Sequence, residues 1–220
     1  HLNKNRMDNS SKKPLRLIFA GKPGCGKGTI GELLTRDYGL VPISTGQLLR
    51  DEIEKGTKLG LEVKALVETG QYVHEDYWLP LLKKRLEEED CKTKGWIIDG
   101  APRTKRHVPA FNAAGIIPDY FVVFDVSDQV IIQRISGRRM DPVTKQIYHI
   151  KYHPATDEEV AKRLIQRADD AEDKVITRLK LYGENFADVD TWYPNNTVHV
   201  DATDAPDVVY AHTKKALNLH

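Results

Sequence analysis

The sequence predicts an α/β fold, a five-stranded parallel sheet with helices on both faces that carries two insertions. Three observations lead there. Five short apolar runs punctuate the chain, Leu15–Ala20, Leu40–Ile43, Trp96–Asp99, Tyr120–Val126 and Thr197–Asp201. Most are near-continuous in apolar character, as parallel strands covered on both faces are. Amphipathic stretches lie between them, including Trp78–Glu89 and Gln129–Ile135, and such alternation implies a parallel sheet with ligands at the strand C-terminal ends. The first run also opens into a glycine-rich loop followed by Thr29–Tyr38, whose apolar residues Ile30, Leu33, Leu34 and Tyr38 fall at helical spacing.

Composition sets the frame. A chain of 220 residues fits one domain with modest insertions. Lys plus Arg number 33 and Asp plus Glu 32, a net charge of +1, so no global field favours nucleic acid and anion binding must come from local clustering. The two cysteines, Cys25 and Cys91, give neither a disulfide framework nor a four-cysteine metal site and point to a reducing compartment. The longest apolar runs are strand-length, so no membrane-spanning helix is expected. Residues 1–13 read as a polar, flexible N-terminus without an apolar signal core, with Met7 a candidate natural start. The expected compartment is the cytoplasm, with an organelle after transit-peptide removal left open.

The loop Gly21–Thr29 reads Gly-Lys-Pro-Gly-Cys-Gly-Lys-Gly-Thr. Between a strand and a helix this is a phosphate-binding loop, and the chain reads as a P-loop NTPase. Glycines such as Gly24, Gly26 and Gly28 let successive N–H groups turn inward, and the helix start adds free donors and partial positive charge. Lys27 supplies a point charge for the β and γ phosphates, and Thr29 a hydroxyl. Cys25 lies in the loop, either as a filler or as a thiol activated by the helix N-terminus.

The second segment is Ser44-Thr45-Gly46-Gln47-Leu48-Leu49-Arg50. Ser44 or Thr45 can cap a helix that carries Arg50 about one turn inside it. Helical stretches Leu48–Lys55 and Leu61–Thr69 then form an excursion that leaves the sheet and returns. The third segment, Gly95-Trp96-Ile97-Ile98-Asp99-Gly100-Ala101-Pro102-Arg103, is an apolar run ending in an aspartate. That is the pattern of a carboxylate that orders Mg²⁺ and its waters beside a phosphate loop, and Gly100 and Pro102 bend the chain so that Arg103 turns back. The fourth constellation is basic. Arg134 and Arg138 are expected on one face of a helix, and Arg167 and Arg178, eleven apart, on one face of another. Paired guanidiniums suit phosphate oxygens, although neighbours such as Asp169 and Asp170 would equally make solvated faces of them.

The form Gly-x-Pro-Gly-x-Gly-Lys-Gly-Thr resembles the adenylate kinase family of nucleoside monophosphate kinases. So do Ser-Thr-Gly-x-x-x-Arg at Ser44–Arg50, Asp-Gly-x-Pro-Arg at Asp99–Arg103, Gly137-Arg138-Arg139, Tyr148-His149 and Arg167-Ala168-Asp169-Asp170. The resemblance runs from about Leu15 to Leu217. It implies reversible transfer of the γ-phosphoryl group of MgATP to AMP, giving two ADP without a covalent intermediate. Lys27, Asp99, Arg103, Arg138, Arg167 and Arg178 would be catalytic. ATP would meet Gly24–Thr29, Arg134, Arg138, Tyr148, His149 and Asp204. AMP would meet Thr45, Gly46, Arg50, Val73, Gly100, Arg103, His107, Arg167 and Arg178. Mg²⁺ would be held through waters at Asp99.

The implied organisation is a P-loop core of 14–43, 74–136 and 171–220, a monophosphate-binding insertion of 44–73 and a lid of 137–170. The lid lacks the cysteines of zinc-bearing relatives, so no structural metal is expected. The resemblance also implies a monomer whose partners are ATP, AMP and ADP, with neither nucleic acid nor membrane. Three positions depart from the family pattern. Ala101 replaces an aromatic, His107 replaces a glutamine that reads the acceptor adenine, and Gln47 stands where aspartate is common. A kinase for UMP/CMP or GMP and a non-catalytic adenine-nucleotide sensor therefore remain alternatives, and a nucleic-acid-dependent ATPase is disfavoured by the balanced charge.

Overall fold

The computed structural model describes residues 13–220; the expectation of a polar N-terminal stretch falls outside them save for Lys13. In chain order, β1 (Arg16–Gly21) passes through the glycine loop into α1 (Lys27–Tyr38) and β2 (Val41–Ser44). A helical excursion, α2 (Thr45–Lys55) and α3 (Lys58–Glu68), precedes α4 (Glu75–Leu86), α5 (Glu89–Lys94) and β3 (Trp96–Asp99). Then come α6 (His107–Ala113), β4 (Tyr120–Asp125) and α7 (Asp128–Ser136). A second excursion holds the hairpin β5 (Arg138–Met140) and β6 (Ile147–His149) with α8 (Glu158–Arg163), and α9 (Glu172–Asn185), β7 (Thr197–Asp201) and α10 (Pro206–Ala216) complete the fold.

The main sheet runs β2-β3-β1-β4-β7 and every pairing is parallel. The near-continuous apolar runs have their reason here. Successive side chains of a strand point to opposite faces, and both faces are buried. Ile18, Ile98, Phe121 and Val123 pack on one side with Trp78, Leu82, Phe111 and Trp192. Leu17, Phe19, Ile97, Val122 and Phe124 pack on the other with Leu34, Ile131 and Val209. With β1 central, the loop after it emerges mid-sheet, and Asp99 is in register with both Phe19 and Ser44.

Two expectations about helices are corrected. Arg134 and Arg138 do not share a helix face: α7 ends at Ser136, Gly137 caps it, and Arg138 opens β5. Arg167 and Arg178 do not share a helix either. Arg167 is extended, a short 3-10 turn covers Ala168–Asp170, and α9 starts only at Glu172. The loop helix also begins earlier than Thr29, at Lys27, with Gly26 at φ 100° as its cap.

Candidate active site

A cleft of about 1470 Å³ opens at the C-terminal ends of the central strands, between the two excursions. Its floor is the loop, Gly24 to Thr29. Gly24 has φ +76°, and a Cβ there would come within 2.6 Å of Ile135, so only glycine lets α7 pack this close to the loop. The Lys27 ammonium donates to the carbonyls of Gly21 (2.8 Å) and Lys22 (3.0 Å) and lies 3.4 Å from Cys25 Sγ. Because the helix begins at Lys27, the free N–H groups of its first turn face the same space.

Arg134 joins the loop to the far end of the sheet. Its guanidinium donates to the carbonyls of Cys25 (3.2 Å), Ala202 (2.7 Å) and Thr203 (3.0 Å), and Asp204 lines the cleft beside them. Tyr148 and His149 reach the cleft from β6. His149 Nδ1 accepts from the N–H groups of Lys151 (3.0 Å) and Tyr152 (3.1 Å), while its Nε2 is buried without a partner. Burial pushes the His149 imidazole pKa down.

On the opposite wall, Asp99 ends β3 and the chain turns sharply at Gly100, whose φ is +98°. A Cβ on Gly100 would lie 2.5 Å from Thr45 Oγ1, so the excursion seats directly on this turn. Arg103 folds back and its Nε donates to the Gly100 carbonyl at 2.7 Å. Gly46, Arg50 and Val73 line the cleft from the excursion side. Two predicted site residues do not reach it. Thr45 is buried under Gly100, and the His107 side chain is fully buried behind the wall.

The arginines converge although their helices do not. Arg167 donates to both Asp169 carboxylate oxygens, at 3.1 and 2.9 Å. Arg178 donates to the Asp169 carbonyl (3.0 Å) and to Asp170 Oδ1 (3.3 Å). Arg138 makes a two-pronged contact with Asp170, its Nε donating to Oδ2 at 2.8 Å and its Nη2 to Oδ1. Asp169 and Asp170 thus orient three guanidiniums. The sequence had them both as members of the Arg167-Ala168-Asp169-Asp170 motif and as neighbours on solvated faces; they lie two and three residues past Arg167, on a turn too short to separate them from it.

Arg50 has no carboxylate partner among the described residues. It lines the cleft, and Gln47 Oε1 accepts from its Nε at 3.3 Å while the Gln47 amide donates to Asp51 at 2.8 Å. Burial lowers the Arg50 pKa to about 9, with the charges of Arg167, Arg178 and Arg138 contributing. Arg178 falls to about 10 through burial and the repulsion of Arg138 and Arg167. Burial alone would raise the Asp169 carboxyl; Arg167 and Arg178 outweigh it and hold the pKa at about 2. The cleft is therefore a desolvated cluster of cations with too few carboxylates to match them, and an anion of several charges would relieve it.

Among the described residues no group of three or more His, Cys, Asp or Glu side chains is arranged to hold a metal ion, and no helix is long and apolar enough to cross a membrane. The hard oxygens of Asp99 and Thr29, which line one cleft with Lys27, are of the type that Mg²⁺ prefers.

A family model described as adenylate kinase matches residues 19–198. A protein of Oryza sativa subsp. japonica named probable adenylate kinase 2, chloroplastic, is 42% identical over 204 residues, 93% of this chain and 70% of its own length. A Zea mays protein named adenylate kinase, chloroplastic, is 41% identical over 198 residues, 90% of this chain and 89% of its own. With the phosphate loop, the parallel sheet and the cationic cleft, these matches establish that the chain belongs to the adenylate kinase family of ATP:AMP phosphotransferases.

Proposed function

We propose that the cleft carries out this transfer by alignment and charge neutralisation alone, without a covalent intermediate. The observation that carries the reading is the set of four guanidiniums, Arg50, Arg138, Arg167 and Arg178, that sit close enough to perturb one another between the loop and the helical excursion. The acceptor phosphate is already ionised and nucleophilic, so no general base is needed. What remains is to hold donor and acceptor in line and to match the charge of the transferring group.

The donor phosphates bind over Gly24–Thr29, where Lys27 leaves the loop carbonyls for the β and γ phosphates. Arg138, Arg167 and Arg178 meet the transferring group, and Arg103 approaches it from the Gly100 turn. Arg50 holds the acceptor phosphate, with Gly46, Val73 and Gly100 shaping the acceptor end. Arg134, Tyr148, His149 and the backbone near Asp204 surround the donor base; that these residues all line one end of the cleft supports the placement. Mg²⁺ would be held through waters at Asp99 beside Thr29 and would neutralise charge on the β and γ oxygens. Water competes as acceptor, so the excursions at 44–73 and 137–170 act as covers that close before transfer.

We take AMP as the acceptor. Ala101 is buried and His107 lies behind the wall, so a kinase with another acceptor base is the reading these departures favour next. The chain is taken as a monomer. The two relatives are named for chloroplasts, which supports an organelle over the cytoplasm that composition alone favours. Coupled kinetics with MgATP and AMP, GMP, UMP or CMP test the acceptor. Diphosphate formation with AMP far above the others is expected; preference for another base would keep the mechanism and reassign the acceptor, and no transfer to any would overturn both.

A further inference from the structure

We propose that Tyr72 is the specificity-determining side chain of the acceptor end, where it discriminates purine from pyrimidine monophosphates by its ring face, and that His107 is a positioning residue that anchors its hydroxyl. This rests on the reading of the helical-excursion side of the cleft as the acceptor end.

Tyr72 follows α3, is half-buried and lines the cleft. His107 meets it at the hydroxyl end, the ring centroids 6.0 Å apart and the planes 25° from parallel. Trp78 abuts the His107 ring edge-on at 5.0 Å and fixes its plane. Both His107 nitrogens are engaged. Nδ1 accepts from the backbone N–H of Arg103 at 3.1 Å, and that bond assigns the proton to Nε2, which donates to the Tyr72 hydroxyl at 2.8 Å. No atom of His107 is left to read a base.

The Tyr72 hydroxyl is saturated in turn. It donates to Glu75 Oε2 at 2.8 Å and accepts from Arg106 at 2.9 Å as well as from His107. Arg106 closes the network by donating to Glu75 at 2.9 Å. A phenol has one donor and two acceptor positions, and all three are used within the protein. Tyr72 therefore offers the cleft its ring alone. A ring face recognises stacking area rather than hydrogen-bond pattern, and a two-ring base covers more of it than a one-ring base. The same network ties that wall to the backbone of Arg103, so base fit and Arg103 position are coupled through one histidine.

The test compares wild type, Tyr72→Phe, Tyr72→Leu, His107→Gln and the double variant Tyr72→Leu/His107→Gln. Each is assayed for kcat and KM with AMP, GMP, UMP and CMP at saturating MgATP, for KM of ATP, and for its thermal melt. Tyr72→Leu is expected to raise the KM for AMP on the order of tenfold or more, to narrow the purine preference, and to leave the KM for ATP unchanged. Tyr72→Phe keeps the ring and retains the selectivity. His107→Gln raises the KM for AMP while Tyr72 is present and adds little once Tyr72 is leucine, a non-additivity that a merely structural role would not give. The proposal is overturned if Tyr72→Leu leaves the acceptor preference intact, if the KM values for ATP and AMP rise together, or if His107→Gln tightens AMP regardless of Tyr72. Wild type inactive with all four acceptors would instead reject the function on which the inference rests.

Discussion

Arg163 grips Asp141 with two guanidinium nitrogens, at 2.8 and 2.6 Å, and joins the end of α8 to the start of the hairpin turn. The Asp141 carboxylate also accepts from the Val143 N–H and the Thr144 hydroxyl, both at 2.9 Å. A fully buried carboxylate with four donors is a local staple, and it ties the hairpin turn to α8. Hydrogen bonding from Arg163, ahead of its charge, holds the Asp141 carboxyl well below the usual carboxylate range.

Asp141→Ala should therefore loosen the hairpin, with a raised KM for ATP and faster proteolytic cleavage within 137–170. Replacing both partners, Asp141→Leu with Arg163→Met, should recover much of the resistance, because breaking a buried pair costs more than removing it whole. Limited proteolysis beside the kinetics checks both.

Arg167→Lys should lower kcat on the order of 10³-fold, since the two-pronged contact with Asp169 and the planar fork toward phosphate are both lost. Asp170→Asn keeps the shape but weakens the orientation of Arg138 and Arg178, and should cost on the order of 10²-fold in kcat. Unchanged kcat in either variant, measured by single-turnover transfer, would remove these groups from the chemistry.

Gly100→Ala forces a side chain into φ +98° and toward Thr45 Oγ1. The strain is about 1–3 kcal/mol, and the wall carrying Arg103 should shift. Urea denaturation should show the loss, together with a raised KM for AMP.

Two histidines should bend the stability–pH curve in opposite directions. His199 lies between Asp125 (2.8 Å) and Asp190 (2.6 Å). Burial alone would lower its pKa, but the hydrogen bonds to Asp190 and Asp125 outweigh it and raise the value. Its stabilisation is thus fully present below the unfolded pKa near 6.5 and is lost as pH rises through the folded value. The effect is modest because the side chain is 43% exposed. His107 is lowered by burial, so its neutral form is favoured and stability falls as pH drops below about 6.5. Thermal melts from pH 5 to 9 should show His199→Gln losing more stability at low pH than at high pH.

The parts written in contiguous residues were legible before the structure. Trp96–Asp99 and Thr197–Asp201 are strands at the predicted residues, and the loop sits between strand and helix as its glycines require. What failed needed contacts between distant residues or knowledge of where a helix stops. The spacing of Arg134 and Arg138 is helical, yet Gly137 ends α7 between them. Arg167 and Arg178 meet through Asp169 and Asp170, not along one helix. Nothing local at His107 shows that Tyr72 and Trp78, about thirty residues earlier, enclose it.

This cationic cleft is expected to direct the γ-phosphoryl group to a nucleotide acceptor rather than to water. The most direct measurement follows ATP consumption and ADP formation with saturating MgATP, with and without AMP. AMP is expected to accelerate ATP consumption by orders of magnitude, with about two ADP formed per ATP and no free phosphate. ATP consumption indifferent to AMP, with one ADP and one phosphate per turnover, would contradict it.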